Sequence, residues 1–278
     1  MTFGGRLRTA MDARGAFCVG IDPHPVLLAA WGLPDDSTGL ERFAMTVVDA
    51  IAERVVVLKP QSAFFERHGS RGVAVLERTI AAARSAGALV LMDAKRGDIG
   101  STIQAYADAF VNPRSPLCCD AVTATPYLGF ESLRPLLDTA LAHGNGVFVV
   151  TLTSNPEGAE VQQARLPGGQ TVSGAVLDHV RKINAGASLM GSVGCVVGAT
   201  IGPTSEDLDI GGPLLAPGVG AQGGTLDGLL RVFGGALPNV LPSSSREILQ
   251  AGPDPEALLT ATERAIGEFT LLSGAKTR

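Results

Sequence analysis

The sequence alternates short apolar runs with longer amphipathic segments along almost its whole length. The apolar runs are residues 17–22, 55–60, 88–95, 121–126, 146–153, 192–200, 213–220 and 239–245. Helical patterns lie between them, for example at 40–53, 72–85 and 130–142. Strands that alternate with helices form right-handed βαβ units and a parallel sheet that is covered on both faces. Eight such runs predict one α/β domain over residues 1–278, a (β/α)8 TIM barrel.

The charge balance and the apolar runs exclude several classes of protein. The net charge of −5 argues against a nucleic-acid or anionic-membrane surface. Every apolar run is interrupted before 18 residues, so we expect no membrane-spanning helix. The N-terminal segment lacks the apolar core of a signal peptide. The four cysteines and four histidines lack metal-ligand spacing. We therefore expect a cytoplasmic protein without a metal site and without nucleic-acid or membrane partners.

Polar residues collect where the apolar strands end. Active sites of barrels of this kind lie at the carboxyl ends of the strands. The fifth predicted strand runs into Ser154, and Arg246 follows the eighth. The other candidates at strand ends are Asp22 (first strand), Lys59 (second strand), and Asp93, Lys95 and Asp98 (third strand). This distribution predicts an active site at the barrel mouth.

The third strand places two opposite charges on one face. Side chains alternate along a strand, so Asp93 and Lys95 should share the inward face with Leu91. The structural alternative is an ion pair that only neutralises itself. Lys59 and Asp98 extend the pair to an alternating series of charges, and such a series is seldom an efficient way to stabilise a fold. The pattern therefore favours catalysis.

A glycine-rich segment, APGVGAQGGT at 216–225, follows the seventh strand. Its glycines, Gly218, Gly220, Gly223 and Gly224, let the backbone approach a ligand, and Thr225 can cap the next helix. Amide groups at a helix N-terminus bind anions, and phosphate often binds after strands seven and eight of a barrel. A plain glycine turn is the alternative. The arginine after strand eight, Arg246, favours a phosphate site.

The most irregular stretch is SNPEGAEVQQARLPGGQ, residues 154–170. Long loops of this kind are often lids over a binding site. A tolerated surface insertion explains the same composition, and both interpretations remain open from the sequence.

Asp93-Ala-Lys95-Arg-Gly-Asp98 matches a DxKxxD signature, and the motifs GID, LKP, DAKRGDI, TS, APGVGAQGG and SSSR follow in order along the chain. With these motifs the sequence resembles the orotidine 5′-phosphate decarboxylase family, in its longer bacterial branch. The resemblance implies decarboxylation of orotidine 5′-monophosphate (OMP) to uridine 5′-monophosphate (UMP) and CO2, the last step of de novo UMP synthesis. It implies neither a cofactor nor a metal ion.

The resemblance also implies roles for individual residues. Asp93 would lie beside the scissile carboxylate, Lys95 would donate the proton to C6, and Lys59 would belong to the same charged series. Asp98 and Thr102 would reach the ribose in the neighbouring subunit, which implies a homodimer with shared active sites.

The remaining implied residues bind the substrate. Asp22 would contact the ribose, and Ser154 would read the pyrimidine edge. The residues implied around the phosphate are Gln222, Gly223, Gly224 and Arg246, and Pro217 is a further substrate-binding residue.

Two other functions remain as alternatives. A magnesium-dependent sugar-phosphate lyase of the same superfamily would carry an acidic metal ligand where this chain has Lys59. A non-catalytic nucleotide-monophosphate-binding barrel would need the phosphate and base contacts, but not Asp93, Lys95 and Asp98 together.

Overall fold

A computed structural model describes residues 1–221 and 223–269, and it confirms the (β/α)8 barrel. The strands form a closed parallel sheet in the order β1 to β8, and Cys18 of β1 pairs with Ser243 of β8. Each predicted apolar run contains one strand. The strands are β1 Cys18–Ile21, β2 Val57–Pro60, β3 Leu89–Arg96, β4 Ala121–Ala124, β5 Gly146–Leu152, β6 Val193–Val197, β7 Leu214–Pro217 and β8 Val240–Ser244.

Helices connect the strands and cover the outside of the barrel. In the described ranges the α-helices are α1 Phe3–Arg14, α2 Pro25–Ala30, α3 Ser37–Ile51, α4 Ser62–Glu66, α5 Gly69–Ser85, α6 Gly100–Phe110, α7 Arg134–Ala142, α8 Ala159–Gln162, α9 Val172–Asn184, α10 Leu226–Phe233, α11 Arg246–Leu249 and α12 Pro255–Phe269. Short 3₁₀ turns lie at Phe130–Leu133, Pro156–Gly158 and Gly234–Asn239. None of the helices in the described part of the chain is long and apolar enough to cross a membrane.

Capping residues explain where two predicted helices begin. The side chain of Asp36 accepts hydrogen bonds from the amides of Thr38 and Gly39, so α3 starts three residues before the predicted 40–53. The predicted helix 130–142 is divided into a 3₁₀ turn and α7. Pro135 lies in the first turn of α7, where a backbone N–H has no hydrogen-bond partner within the helix, so a proline costs the helix no hydrogen bond there.

Helix α1 closes the N-terminal end of the barrel. Its residues Phe3, Leu7 and Met11 pack with inward-facing strand residues, and Phe3 makes an edge-on contact with Phe148 at 6.0 Å between ring centroids. Arg6 pairs with Asp120 at the start of β4. The sequence pattern predicts no element here, because four charged residues dilute the apolar pattern of α1. With this end filled, the carboxyl ends of the strands form the open mouth.

Candidate active site

A buried carboxylate, Asp93, lies at the centre of the barrel mouth. Its Oδ1 accepts hydrogen bonds from Lys95 Nζ at 2.6 Å and from Thr123 Oγ1 at 2.9 Å. Its Oδ2 accepts from Lys59 Nζ at 3.2 Å and from Gln61 Nε2 at 3.1 Å. Each oxygen therefore receives one ammonium group and one neutral donor. The structure brings together Lys59, Asp93 and Lys95, as the sequence predicted.

The two lysines keep Asp93 ionised. Burial by itself raises the pKa of a carboxyl group, but the charges of Lys59 and Lys95, with the hydrogen bonds from Lys95 and Thr123, hold the pKa of Asp93 well below its usual range. Burial likewise lowers the pKa of the Lys59 ammonium, and the charges of Asp93 and Asp22 outweigh it and raise that pKa above its usual value. Lys59 and Asp93 are thus a charged pair at neutral pH.

Strand β3 has a bulge at the point where the charges begin. Up to Met92 it alternates as predicted, with Leu91 in the inner core and Val90 in the outer core. The register with β4 then shifts between Met92 and Arg96. In the described part of the chain, Lys95 is the one residue other than glycine with a positive φ, +46°. Its amide donates to Thr123 Oγ1 at 2.9 Å.

A cavity of about 170 Å³ adjoins the charged group. It is lined by Asp22, Lys59, Gln61, Asp93, residues 217–219, Ala221 and residues 243–246. Asp22 Oδ2 accepts a hydrogen bond from Ser245 Oγ at 2.5 Å. Asp22 Oδ1 is buried and has no hydrogen-bond partner among the described residues. This oxygen can accept a hydrogen bond from a hydroxyl group of a ligand.

The glycine-rich segment forms a tight loop after β7. Gly220 has a φ of +72°, a backbone conformation that is strained for a residue with a Cβ atom, and a Cβ atom there would lie 1.6 Å from a carboxylate oxygen of Glu247, so that side chain would have to move. The amides of Gly223 and Gly224 donate to the carbonyls of Gly220 and Gly218 at 2.7 and 2.9 Å. Thr225 caps α10 through the amide of Gly228. The amides of Gly223 and Gly224, which the sequence predicts to bind an anion, therefore donate to carbonyl groups of their own loop.

The predicted substrate-binding residues after β7 and β8 divide between two cavities. Pro217 and Arg246 line the cavity that contains Asp93. Gly223 and Gly224 line a neighbouring cavity of about 470 Å³, together with Arg231. Gln222 lies outside the described residues.

Among the residues that the structure describes, neither Asp98 nor Thr102 lines this cavity. Asp98 Oδ1 accepts a hydrogen bond from the amide of Ile99, and Thr102 is exposed on α6. The apolar side chain of Ile99, which follows Asp98 in the chain, is 61% exposed, and that of Tyr127, three residues after β4, is 74% exposed.

Ser154 is exposed beyond β5, and the segment that follows it has local structure. It contains a 3₁₀ turn, α8 and a bridge between Arg165 and Thr171. The Gln162 side chain ties it to Thr153 through hydrogen bonds of 2.9 and 2.7 Å. A cavity of about 440 Å³ lies between this segment and residues 125–127. The segment 154–170 therefore contains regular local structure and borders a cavity, and whether it is a lid or a surface insertion stays a prediction.

Sequence reasoning missed three residues of the site, Gln61, Thr123 and Ser245. Gln61 lies two positions after Lys59 and therefore on the same strand face, which is a detectable signal. Thr123 is the one polar side chain of β4, a run that is otherwise apolar. Ser245 lies in a run of three serines, where the pattern does not distinguish one from another.

Comparisons with known proteins agree with this geometry. The family model described as orotidine 5′-phosphate decarboxylase / HUMPS family matches residues 15–261. A relative named orotidine 5′-phosphate decarboxylase from Salinispora arenicola is 62% identical over 268 residues, 96% of each chain. The Streptomyces coelicolor protein of that name is 62% identical over 94% of this chain and 95% of its own.

Two solved structures show the same fold. A proposed orotidine 5′-phosphate decarboxylase from Streptomyces avermitilis has a TM-score of 0.96 and 59% identity, with 99% of this chain and 96% of that chain covered. The OMP decarboxylase of Leishmania donovani has a TM-score of 0.72 and 27% identity, with 98% and 99% covered. The chain therefore belongs to the orotidine 5′-phosphate decarboxylase / HUMPS family, and it is a carboxy-lyase of the decarboxylase branch.

Proposed function

We propose that the protein decarboxylates OMP to UMP and CO2, the last step of de novo UMP synthesis. The observation that carries the proposal is the group Lys59, Asp93 and Lys95 beside a cavity that also contains Arg246. Relatives that carry the decarboxylase name are 62% identical over nearly the whole chain, and they support the same reaction.

Lys95 supplies the positive charge that the reaction needs. When CO2 leaves C6 of the orotate ring, the electron pair of the broken bond stays on C6 with little resonance stabilisation. The enzyme has to stabilise that charge electrostatically. The side chain of Lys95 is about half exposed, and its ammonium group can face a ligand while it remains 2.6 Å from Asp93. One of its protons then passes to C6 and gives UMP.

Asp93 acts on the carboxylate that leaves. Two unit charges 4 Å apart interact by about 4 kcal/mol at an effective dielectric constant of about 20. If Asp93 lies beside the substrate carboxylate, this repulsion disappears as neutral CO2 forms. Such a difference corresponds to about three powers of ten in rate. The two lysines hold Asp93 ionised and therefore maintain the repulsion.

Asp22 and Ser154 are the proposed contacts to the nucleoside. The unpartnered oxygen of Asp22 would accept a hydrogen bond from a ribose hydroxyl. Ser154 would read the pyrimidine edge. The segment 154–170 would cover the base, and its position beside the 440 Å³ cavity supports this role.

Arg246 would bind the phosphate, together with Gln222, Gly223 and Gly224, and Pro217 would be a further residue of the substrate site. For Gly223 and Gly224 to donate their amides to the phosphate, they must release the carbonyls of Gly220 and Gly218. Phosphate binding would therefore rearrange the loop after β7.

The proposed working unit is a homodimer with shared active sites. Asp98 and Thr102 do not line the cavity of their own chain, and the apolar side chains of Ile99, which follows Asp98, and of Tyr127, which follows β4, are exposed. A second copy that covered this edge would bury apolar surface and receive Asp98 near its own substrate.

We propose a cytoplasmic protein that needs no cofactor. Lys59 places an ammonium group where a metal-dependent relative would need an acidic ligand, and a cation there would be repelled. The cysteines are buried free thiols, which is typical of a reducing compartment.

A spectrophotometric assay tests the proposal and separates it from its alternatives. The absorbance of OMP should fall as CO2 is released, at the same rate before and after exhaustive treatment with EDTA. A rate that EDTA abolishes and magnesium restores would indicate the sugar-phosphate lyase. Binding of UMP without any CO2 release would indicate the non-catalytic barrel.

A further inference from the structure

We propose that the hydroxyl group of Thr123 is a positioning group that orients Lys95 and Asp93 for the reaction, an inference that rests on the proposed function. Thr123 lies on β4, 1% exposed, and belongs to a different strand from both charged residues. Its oxygen accepts the amide hydrogen of Lys95 and donates to Oδ1 of Asp93, each at 2.9 Å.

The direction of these two hydrogen bonds is determined by chemistry. A threonine hydroxyl has one proton and two lone pairs. The amide of Lys95 can only donate, so the oxygen of Thr123 must accept there, and its single proton is left for Asp93. An ionised carboxylate can only accept, which agrees with the lowered pKa of Asp93. Both functions of the hydroxyl are therefore used.

The hydroxyl acts at the point where the backbone of β3 is unusual. Lys95 has a φ of +46°, a conformation that is strained for a residue with a Cβ atom. It lies in the bulge between Met92 and Arg96, where an ordinary ladder of hydrogen bonds with β4 is interrupted. The Thr123 oxygen takes the amide of Lys95 in place of a ladder carbonyl.

The same oxygen fixes both ends of the Lys95–Asp93 contact. A lysine side chain is long and flexible, so the direction of its backbone strongly affects where Nζ can lie. Thr123 holds that backbone and also holds Oδ1 of Asp93, the oxygen that Lys95 Nζ contacts at 2.6 Å. Because threonine is branched at Cβ, few side-chain rotamers compete with this arrangement.

The test compares variants with and without the hydroxyl. Thr123→Val and Thr123→Ala remove it, and Thr123→Ser keeps it. We expect kcat for OMP to fall about ten- to a hundredfold in the first two variants, with little change in KM, because a hydrogen bond to a charged group is lost. Thr123→Ser should retain most of the wild-type kcat. Alanine provides a second variant if valine disturbs folding.

Thr79→Val is the matched control. Thr79 is also buried, on α5, and its hydroxyl donates to the carbonyl of Val75 at 2.8 Å. It lines neither the cavity beside Asp93 nor the cavity beside residues 154–170. We expect its kcat to match wild type even if Tm falls. Equal losses of kcat in Thr79→Val and Thr123→Val, or a serine variant as slow as valine, would show that Thr123 is only structural.

A crystal structure of Thr123→Val gives a readout that does not depend on activity. Lys95 should leave the left-handed region, or its Nζ should move away from Oδ1 of Asp93. An unchanged Lys95 and Asp93 would overturn the positioning role. A wild-type protein that releases no CO2 from OMP would instead contradict the proposed function, and the crystal structure would still decide the role of Thr123.

Discussion

In the proposed function, Arg246 is the residue that binds the phosphate of the substrate. It begins α11, is separated from β8 by Ser245 alone, and lines the same cavity as Asp22 and Asp93. A guanidinium group binds phosphate through two parallel N–H donors. Because phosphate is remote from C6, its binding energy can be used to assemble the site as well as to hold the substrate.

We expect Arg246→Ala to raise KM for OMP and to lower kcat, with a loss of about a hundredfold or more in kcat/KM. Free guanidinium ion should restore part of the rate. Steady-state kinetics with and without guanidinium measure both effects. Arg78→Ala is the control, because Arg78 lies on α5, pairs with Glu41 and lines neither of the two cavities. Wild-type kinetics in Arg246→Ala would show that Arg246 does not bind the phosphate.

Among the elements, α1 makes the barrel a packed structure with one open end. It contributes Phe3, Leu7 and Met11 to the inner core below the charged residues. The core below the site at the mouth is therefore built from inward-facing strand residues together with residues of α1, a helix that precedes β1.

Phe3→Ala should destabilise the protein by about 3–5 kcal/mol, because the ring is 1% exposed and its removal leaves a cavity. Urea unfolding measures the change. Val26→Ala is the control, since Val26 is 79% exposed and its truncation should change stability by less than about 0.5 kcal/mol. We expect the kcat of the folded Phe3→Ala enzyme to stay near wild type. A stability equal to that of wild type would mean that α1 does not close the barrel.

For the whole molecule, the proposed homodimer makes each active site depend on two chains. Lys95 contacts Asp93 of its own chain, whereas Asp98 lies outside that cavity. A lesion at Lys95 and a lesion at Asp98 should then damage different sites of a mixed dimer.

Lys95→Ala and Asp98→Ala should each be nearly inactive, and they should rescue each other after they are dissociated together and reassembled. In a mixed dimer one site carries both lesions and the other is intact. Random exchange makes about half of the dimers mixed, so activity should approach about a quarter of wild type. The measurement is decarboxylation of OMP, with subunit exchange verified by differently tagged chains. Exchange without a gain in activity would place Asp98 within its own site.

The sequence by itself determined the barrel and the polar residues at its mouth. Apolar alternation is a local property, so each of the eight predicted runs contains a strand. The period of two along β3 was sufficient to place Leu91 inside and Val90 outside, and to aim Asp93 into the mouth. The order of motifs along the chain was sufficient to predict that a glycine-rich segment follows β7 and that Arg246 follows β8.

The tertiary structure decided the contacts that depend on neighbouring strands. Thr123 meets Asp93 and Lys95 only because β4 lies beside β3 in a register that shifts at the bulge, and no pattern within either strand specifies that shift. Likewise, α1 fills the barrel although its charges obscure its apolar face. The amides of Gly223 and Gly224 are engaged by carbonyls of their own loop, which spacing along the chain does not reveal. Side-chain periodicity is set locally, whereas register and packing are set by the closure of the whole barrel.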